Sequence, residues 1–437
     1  MLQWLPREII AQIVAILPID LNLVPISLAS KTSLAPLLYL DLSFANRHVQ
    51  QHLSTGDLKS VINIAQTETG KWRGVPVSYQ AILFGQMIST EIEELFEYNE
   101  VDKVFAELNA SKALEYTKIL LSVPALFNPG SQNSRSLRFS ASKGYVQSTK
   151  LLLLDTRVDP TAQDNEAFHW ACTRGELGIV QAILSDLRID PSTNNNSAII
   201  QSSRNGHVQI VCLLLADARV NPAADNNYAI CLASQNGHTE IVRLLLESGK
   251  VDPTADNNAS IREAVASGHH DIVKMFLEIP QVDPSTMNNY AIGRASCNGH
   301  VQVVELLLAD ARVDPSSNDN GPIIWAIREG HLQIVQLLLN TSKNVNPAAQ
   351  NNQGIVLAAG CGHKDIIALL LTDSRVDPSA QRNYAVCAAA VNGFLEIVKM
   401  LLDSGKIRNR VNFDYALEGA RARGHQEVVD LLLRFVE

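Results

Sequence analysis

Histidine is the residue whose repeated placement most suggests chemistry in this sequence. Seven histidines directly follow a glycine that recurs along the chain: His207, His238, His269, His300, His331, His363 and His425. Imidazole nitrogens are common zinc ligands, so a row of them could hold metal. Zn–N bonds are only about 2.0–2.1 Å long, however, whereas packed helices lie about 8–10 Å apart. Successive histidines in a stack of helices therefore cannot share one ion, and we predict structural turn histidines with no metal site and no cofactor.

Other patterns that could carry chemistry have equally simple structural explanations. An asparagine row and an Asp-Pro row could suggest calcium, but helix capping and turn formation account for both. His169 and Cys172 share one predicted helix, where packing is the better explanation than a catalytic pair. The sequence has no G-x-S-x-G, no P-loop and no C-x-x-C. We therefore predict no catalytic residues and a protein that is not an enzyme.

Composition restricts the class of protein further. The chain has 437 residues, 46% of them hydrophobic, which excludes a disordered chain and exceeds the size of one compact core. A formal charge of −9 gives no general attraction to nucleic acid or to an anionic membrane surface. No apolar run approaches the ~20 residues that span a bilayer, and Arg7 and Glu8 interrupt the apolar N-terminus, which argues against a signal peptide. The six scattered cysteines indicate reduced thiols, so we predict a cytoplasmic or nuclear protein.

A glycine recurs at a nearly constant interval, and it defines the elements that hold the histidines. These repeat glycines are Gly144, Gly175, Gly206, Gly237, Gly268, Gly299, Gly330, Gly362, Gly393 and Gly424; eight of the nine intervals are 31 residues and one is 32. Such a period is the signature of stacked repeats.

Each repeat predicts two helices joined at the glycine. Counting back from it, position −10 is Asn in eight repeats and is predicted to cap the first helix. Position −7 is always apolar and −4 always small, as in Ile230 and Ala233, which predicts a buried helix face. The glycine is expected to end this helix in the left-handed conformation. Beyond it, apolar runs such as Ile241-Val242 predict a second helix buried on several sides.

This order of elements resembles the ankyrin repeat. An extended Val251-Asp252-Pro253 finger, a helix, the Gly237-His238 turn and a longer helix with a leucine triplet are shared with that family. The chain departs from it in a 31-residue rather than 33-residue unit and in lacking the Thr-Pro-Leu-His signature. The resemblance covers residues 98–437 and implies an all-α helical solenoid of about 11 stacked helix-turn-helix repeats. Residues 98–128 form a degenerate first repeat in this interpretation, and residues 44–97 a degenerate helical connector or eroded repeats.

The resemblance also implies where a partner would bind. Ankyrin repeats bind proteins through the finger tips and the concave inner face of the first helices, so recognition should reside in positions −5, −2 and −1, which vary between repeats. Trp170 and Trp325, both at −5, are either binding anchors or fillers of the helix layer. The candidate protein-binding residues are Lys143, Trp170, Arg174, Arg204, Gln235, Asn236, Arg294, Trp325 and Arg328.

Residues 1–43 carry a second, shorter pattern. It consists of Leu5, Pro6, Glu8, Ile9, Ile10, Ile13, Leu17, Pro18, Asp20 and Leu21, with Ser27 and Lys31 following. This pattern resembles the F-box, although the tryptophan usual near the end of that module is missing. The resemblance implies docking onto the Skp-type adaptor of a cullin–RING ubiquitin ligase through Leu5, Pro6, Glu8, Ile9, Ile13, Leu17 and Pro18. The alternative is a helical cap for the repeat stack, which would leave a non-enzymatic scaffold or sequestering protein.

Overall fold

The computed structural model describes residues 110–122, 128–341, 343–407 and 411–436, together with Ala81. These residues fall into two compact units, the first ending at Asn221 and the second beginning at Pro222. Each unit consists of helices joined by turns and short extended segments, and no strand occurs among the described residues. The boundaries expected at residues 43 and 97 lie outside the described residues.

From residue 110 onwards, the described residues of the first unit form one single helix followed by three helix pairs. The helices are α1 (Ala110–Leu121), α2 (Ser131–Ser142), α3 (Val146–Leu153), α4 (Ala162–Arg174), α5 (Leu177–Leu184), α6 (Thr193–Arg204) and α7 (Val208–Leu215).

The second unit contains seven helix pairs. The first four are α8 (Ala224–Gln235) with α9 (Thr239–Glu247), α10 (Ala255–Ser267) with α11 (His270–Leu277), α12 (Thr286–Asn298) with α13 (Val301–Ala309), and α14 (Ser317–Glu329) with α15 (Leu332–Asn340). The last three are α16 (Ala349–Cys361) with α17 (Lys364–Thr372), α18 (Ala380–Val391) with α19 (Leu395–Asp403), and α20 (Phe413–Ala422) with α21 (Gln426–Val436).

Within each unit the pairs stack in sequence order, which confirms the predicted all-α repeat architecture. First helices pack on first helices and second helices on second helices, as α12 packs on α14 and α11 on α13. The apolar −7 residue is fully buried in nine of the ten repeats and 8% exposed at Leu417, while the small −4 residue is fully buried in all ten. Burying one aliphatic side chain contributes about 1.5–3 kcal/mol, so this face supplies much of the stability of the stack.

The helix α1 lies within residues 98–128, where the sequence predicts a degenerate repeat. It packs beside α3, the second helix of the next repeat, and therefore occupies a second-helix position. Ala113 stands where the regular repeats have glycine, and it is buried inside the helix. Without a residue that favours positive φ, the helix continues through the point at which the others break.

A left-handed turn precedes the right-handed part of nine first helices. Positions −12, −11 and −10 all have φ between +46° and +64°, and the N–H of position −10 donates to the carbonyl four residues earlier, as from Asn227 to Ala223 at 3.0 Å. Asn and Asp tolerate this conformation best among residues with a Cβ. This requirement explains why the chain repeats triplets such as Asp225-Asn226-Asn227.

The predicted capping role of the −10 residue is wrong. No side-chain cap hydrogen bond is made in the first helices; the Asn227 side chain instead accepts from the backbone N–H of Asp252 in the next repeat, at 2.7 Å. Equivalent bonds join Ser134 to Asp159, Asn196 to Asn221, Asn258 to Asp283, Asn289 to Asp314, Asn320 to Asn346 and Asn352 to Asp377. In two further repeats the amide donates to the next extended segment, from Asn165 to the carbonyl of Asp190 and from Asn383 to that of Val411. The asparagine row therefore links successive repeats.

Candidate protein-binding site

The first helices expose a row of tyrosines in the second unit. Tyr228, Tyr290, Tyr384 and Tyr415 all stand at position −9, and their exposed fractions are 44%, 36%, 45% and 56%. Because the repeats stack in register, these rings lie on the same side of their unit. The sequence interpretation concentrated on positions −5, −2 and −1 and missed this row. Its signal was a tyrosine directly after the position −10 residue, which is Asn in three of these repeats and Asp414 in the fourth.

The left-handed turns at the start of neighbouring first helices are connected by side-chain amides. An Asn or Gln at position −12 donates to the backbone carbonyl at −11 of the preceding repeat, as Gln350 donates to Asp319 at 3.1 Å. The same bond joins Asn194 to Asp164, Asn318 to Asn288, Gln381 to Asn351 and Asn412 to Arg382. These hydrogen bonds fix the turns of neighbouring repeats relative to one another. The N–H groups that make them are therefore not available to a binding partner.

In the first unit the candidate residues gather around Trp170. The Trp170 ring is 41% exposed, its Nε1 donates to Glu166 Oε1 at 3.2 Å, and the guanidinium carbon of Arg174 lies 5.8 Å from the ring centroid. Glu166 also pairs with Arg138 of the preceding repeat. In this cluster Glu166 is thus already paired, and Arg174 lies against the indole ring. Lys143 and Arg204 are exposed on the neighbouring first helices.

In the second unit Trp325 is only partly exposed, because two glycines make room for its ring. Gly321 lies one turn earlier on α14, and a Cβ there would stand 3.4 Å from the Cζ2 and Cη2 atoms of Trp325. Gly293 lies on the preceding first helix, α12, where a Cβ would overlap Cζ3 of the same ring. The indole therefore covers position −9 of its own repeat, the position that tyrosine occupies in four others.

The charged candidates in the second unit differ in whether they have partners. Arg328 is exposed and pairs with Glu329 at 2.8 Å. Gln235 is exposed and donates to Glu263 Oε2 at 3.3 Å. Arg294 is partly buried, its Nε is shielded from solvent without an acceptor, and no carboxylate of the described residues lies within salt-bridge distance.

Position −1 contributes to the stack as well as to the surface. Asn205 donates through its side-chain amide to the carbonyl of Thr173 at 2.8 Å, and Asn298 and Asn392 make the corresponding bonds to Ala266 and Gly360. The candidate Asn236 donates to Leu232 of its own helix at 2.8 Å. Variation at this position is therefore limited in several repeats by a structural hydrogen bond.

The turn histidines bond to the preceding repeat. In five of them Nε2 donates to a backbone carbonyl at 2.9–3.0 Å: His207 to Thr173, His269 to Gln235, His300 to Ala266, His331 to Cys297 and His363 to Arg328. A Cβ on the preceding repeat glycine would meet the ring, at 2.6 Å between Gly175 and His207. The glycine is thus required twice, for its positive φ of 82° and for the approach of this ring.

The Asp-Pro row also uses its polar atoms locally. Asp190 Oδ1 accepts from the backbone N–H of Ser192 at 2.9 Å and from its hydroxyl at 2.7 Å, and these bonds lower the pKa of the carboxyl group. The same turn forms at Asp252 with Thr254. Within the part of the chain that the structure describes, no three His, Cys, Asp or Glu side chains are grouped to hold a metal ion.

The thiols and His169 show packing rather than catalytic chemistry. Cys172 is fully buried, and burial raises the pKa of its thiol, which disfavours the thiolate needed by a nucleophile. His169 contacts Thr193, Asn194 and Ser197 of the next repeat instead of Cys172, and burial lowers its pKa. Burial similarly raises the thiol pKa of Cys231 and of Cys387 to about 11.

The adaptor-docking candidates from Leu5 to Pro18 lie outside the described residues. A helix long and apolar enough to span a membrane is not found in the described ranges.

Comparison with known families agrees with the geometry of the repeats. A family model described as "Ankyrin repeats (3 copies)" matches residues 137–224, 201–288, 261–351, 292–382 and 355–436, which together extend over well more than half of the 437 residues. No curated protein matches the chain. On the helix pairs, the glycine turns and this match, the chain belongs to the ankyrin-repeat family.

Proposed function

We propose that this protein recruits a target protein to a ubiquitin ligase. In this proposal, the exposed face of the first helices binds the target and residues 1–43 dock onto a Skp-type adaptor. Ankyrin repeats indicate a protein–protein interaction scaffold and are typically non-catalytic. The target-binding step therefore extends a property of the family to particular side chains of this chain.

The observation that carries target binding is the tyrosine row of the second unit. Tyr228, Tyr290, Tyr384 and Tyr415 are each at least 36% exposed at one register position. Tyrosine offers a large apolar face and a hydroxyl for little loss of side-chain entropy, and it is enriched among residues that dominate binding energy. Tyr384 and Tyr415 are in adjacent repeats, and Tyr228 and Tyr290 stand at the same position of two earlier ones. Exposed rings repeated on one side of a stack are the kind of apolar surface that marks an interaction site.

Target binding is tested by removing the row in the full chain. We expect the Tyr228→Ser, Tyr290→Ser, Tyr384→Ser and Tyr415→Ser combination to lose the proteins that the parent chain captures, while its circular dichroism spectrum stays the same. The matched control places Ser at Gln302, Gln336 and Lys399, which are exposed on second helices. Capture that survives loss of all four tyrosines, or that the control abolishes equally, argues against this face.

Adaptor docking rests on the residue pattern from Leu5 to Leu21 beside a protein-binding stack. The test is a pull-down of the purified Skp-type adaptor with the full chain. We expect the parent to retain the adaptor and the Leu5→Ala, Ile9→Ala, Ile13→Ala variant to lose it. A parent chain that does not bind the adaptor rules out the ligase role.

The alternative is a non-enzymatic scaffold or sequestering protein in which residues 1–43 cap the repeats. In that case, deleting residues 1–43 exposes apolar surface and lowers the melting temperature, and every specific partner is kept. The recruiter predicts loss of the adaptor instead, so one deletion variant distinguishes the two functions.

A further inference from the structure

Arg294 is a cation without an ion-pair partner among the residues that the structure describes, whereas nearby arginines are paired. On neighbouring first helices, Arg262 lies 4.0 Å from Asp256 and donates to two backbone carbonyls, and Arg328 pairs with Glu329. Arg294 has no such ion pair, and its Nε is shielded from solvent without an acceptor. A buried donor left unsatisfied is unfavourable in the free protein, and in native structures it calls for a specific explanation.

Two aromatic rings stand beside this cation. Tyr290 lies one turn before Arg294 on α12, so the two side chains share a helix face. The Trp325 ring of the next repeat lies over Gly293, the residue next to Arg294. Arg262 covers the Tyr290 ring with its guanidinium carbon 5.8 Å from the centroid, which leaves 36% of Tyr290 exposed. Arg294 therefore shares a helix face with the partly exposed Tyr290 and adjoins the glycine that Trp325 covers.

We propose that Arg294, Tyr290 and Trp325 form a binding site for an acidic peptide segment of the partner, in which an Asp or Glu carboxylate pairs with Arg294 and an apolar side chain packs on Trp325. The proposal rests on target binding by the first-helix face and identifies the chemistry of that target. A planar guanidinium matches a carboxylate in a two-bond geometry, and Arg294 has no carboxylate partner among the described residues of the free protein.

A carboxylate fits this site better than a phosphate. Recognition of a phosphate with nearly two negative charges generally uses a cluster of arginines. Among the described residues, Arg294 has no carboxylate partner, while Arg328 is engaged with Glu329. Glu263 at the equivalent position of the preceding repeat adds a further negative charge, held by Gln235 at 3.3 Å. A singly charged carboxylate meets less repulsion from these acids than a dianion does.

The spacing of the repeats determines the spacing of the peptide residues. Packed helices lie about 8–10 Å apart and an extended chain rises about 3.3 Å per residue, so roughly three residues span one repeat. Arg294 and Trp325 occupy the same position in successive repeats. The peptide should therefore carry its acidic residue three positions from an aromatic or aliphatic one.

The experiment is a selection of random 12-residue peptides, displayed on phage, against the full chain. We expect the enriched peptides to share an Asp or Glu three positions from an apolar residue. A synthetic copy of an enriched peptide should bind the Arg294→Gln chain about tenfold more weakly or worse, as truncated arginine anchors do. Changing the peptide's acidic residue to its amide should weaken binding to the parent chain by the same factor as the Arg294→Gln substitution does. The same peptide change should not weaken binding to the Arg294→Gln chain any further.

The control is Arg243→Gln, an exposed arginine on α9 paired with Glu240, which should leave peptide affinity unchanged. Thermal unfolding should show Arg294→Gln to be at least as stable as the parent, because the substitution removes an unsatisfied buried donor. The site is excluded if no peptide is enriched, if the enriched peptides lack acidic residues, or if Arg294→Gln binds them as the parent does. If the tyrosine variant loses a captured protein that Arg294→Gln retains, the acidic-peptide site fails and the proposed target-binding face stands.

Discussion

Trp170 and Trp325 occupy the same position of two repeats, yet their surroundings differ. Trp170 in the first unit is 41% exposed, donates to Glu166 and lies beside Arg174. Trp325 in the second unit is partly buried over Gly321 and Gly293. The residue one turn earlier, at position −9, accounts for the difference. At Trp170 that residue is Glu166, which binds the indole N–H, and at Trp325 it is a glycine, which the ring covers.

The comparison shows that register alone does not decide what a surface tryptophan does. In the Trp170 cluster, Glu166 is neutralised by Arg138, and Arg174 lies against the indole ring. At Trp325 the adjacent Arg294 keeps an unsatisfied donor. One tryptophan thus belongs to a paired surface cluster, and the other both supports the helix layer and borders a surface that lacks a partner.

Replacing each tryptophan by alanine should give the largest difference in the free energy of unfolding between the two sites. We expect Trp325→Ala to lower the free energy of unfolding by about 2–3 kcal/mol, somewhat less than the loss of a fully buried ring. Trp170→Ala should cost about 1 kcal/mol or less, because much of its ring already contacts water. Urea unfolding followed by circular dichroism measures both. Equal losses at the two positions would remove the distinction between a packed and an exposed ring.

A second test compares Gly293, which the Trp325 ring covers, with a control glycine whose substitution should change stability in the opposite direction. A Cβ at Gly293 must displace the indole, so Gly293→Ala should destabilise by about 1–2 kcal/mol even after the gain from better helix propensity. At Gly360, on α16, a Cβ would meet only Ala388 at an ordinary 3.5 Å. Gly360→Ala should therefore stabilise by about 0.5–1 kcal/mol. Thermal melting shows whether each variant is more or less stable than the parent. A stabilising Gly293→Ala would mean that the Trp325 ring does not pack on Gly293.

The ion pair below Trp170 should give the smallest effect. Glu166→Gln removes the charge that pairs with Arg138 but keeps an oxygen for the indole N–H. We expect a loss of about 0.2–1 kcal/mol at low ionic strength that shrinks towards zero near 1 M salt. Urea midpoints at two salt concentrations measure it, with Trp325→Ala as a reference whose effect should persist in salt. A loss at Glu166 that salt does not change would point to packing rather than charge.

Much of the repeat could be predicted from residue spacing alone. Ile230 and Ala233 are buried, and Gly237 has a φ of 78°, as the pattern predicts. These predictions succeed because they concern one helix and its nearest turn. The capping role expected of Asn227 was wrong because its side chain bonds to Asp252 in the next repeat, and a local rule contains no information about that neighbour.

The candidate site was less predictable than the fold. Trp325 was identified by its residue type, but the space for its ring depends on Gly293, which belongs to another helix. The tyrosine row was missed because a tyrosine in the first turn of a predicted helix is not unusual in composition. Only the structure shows that the rings of Tyr228 and its equivalents are exposed to solvent.

The sequence by itself therefore determined the elements: a 31-residue period, a helix pair at each glycine and a buried apolar face in every copy. Those properties follow from local conformational preference and from hydrophobic periodicity, both of which act within one repeat. The tertiary structure alone decided which polar groups remain available. Asparagines and histidines are used between repeats, and Arg294 is left without an acceptor, because hydrogen-bond satisfaction depends on atoms that stacking brings together from different repeats.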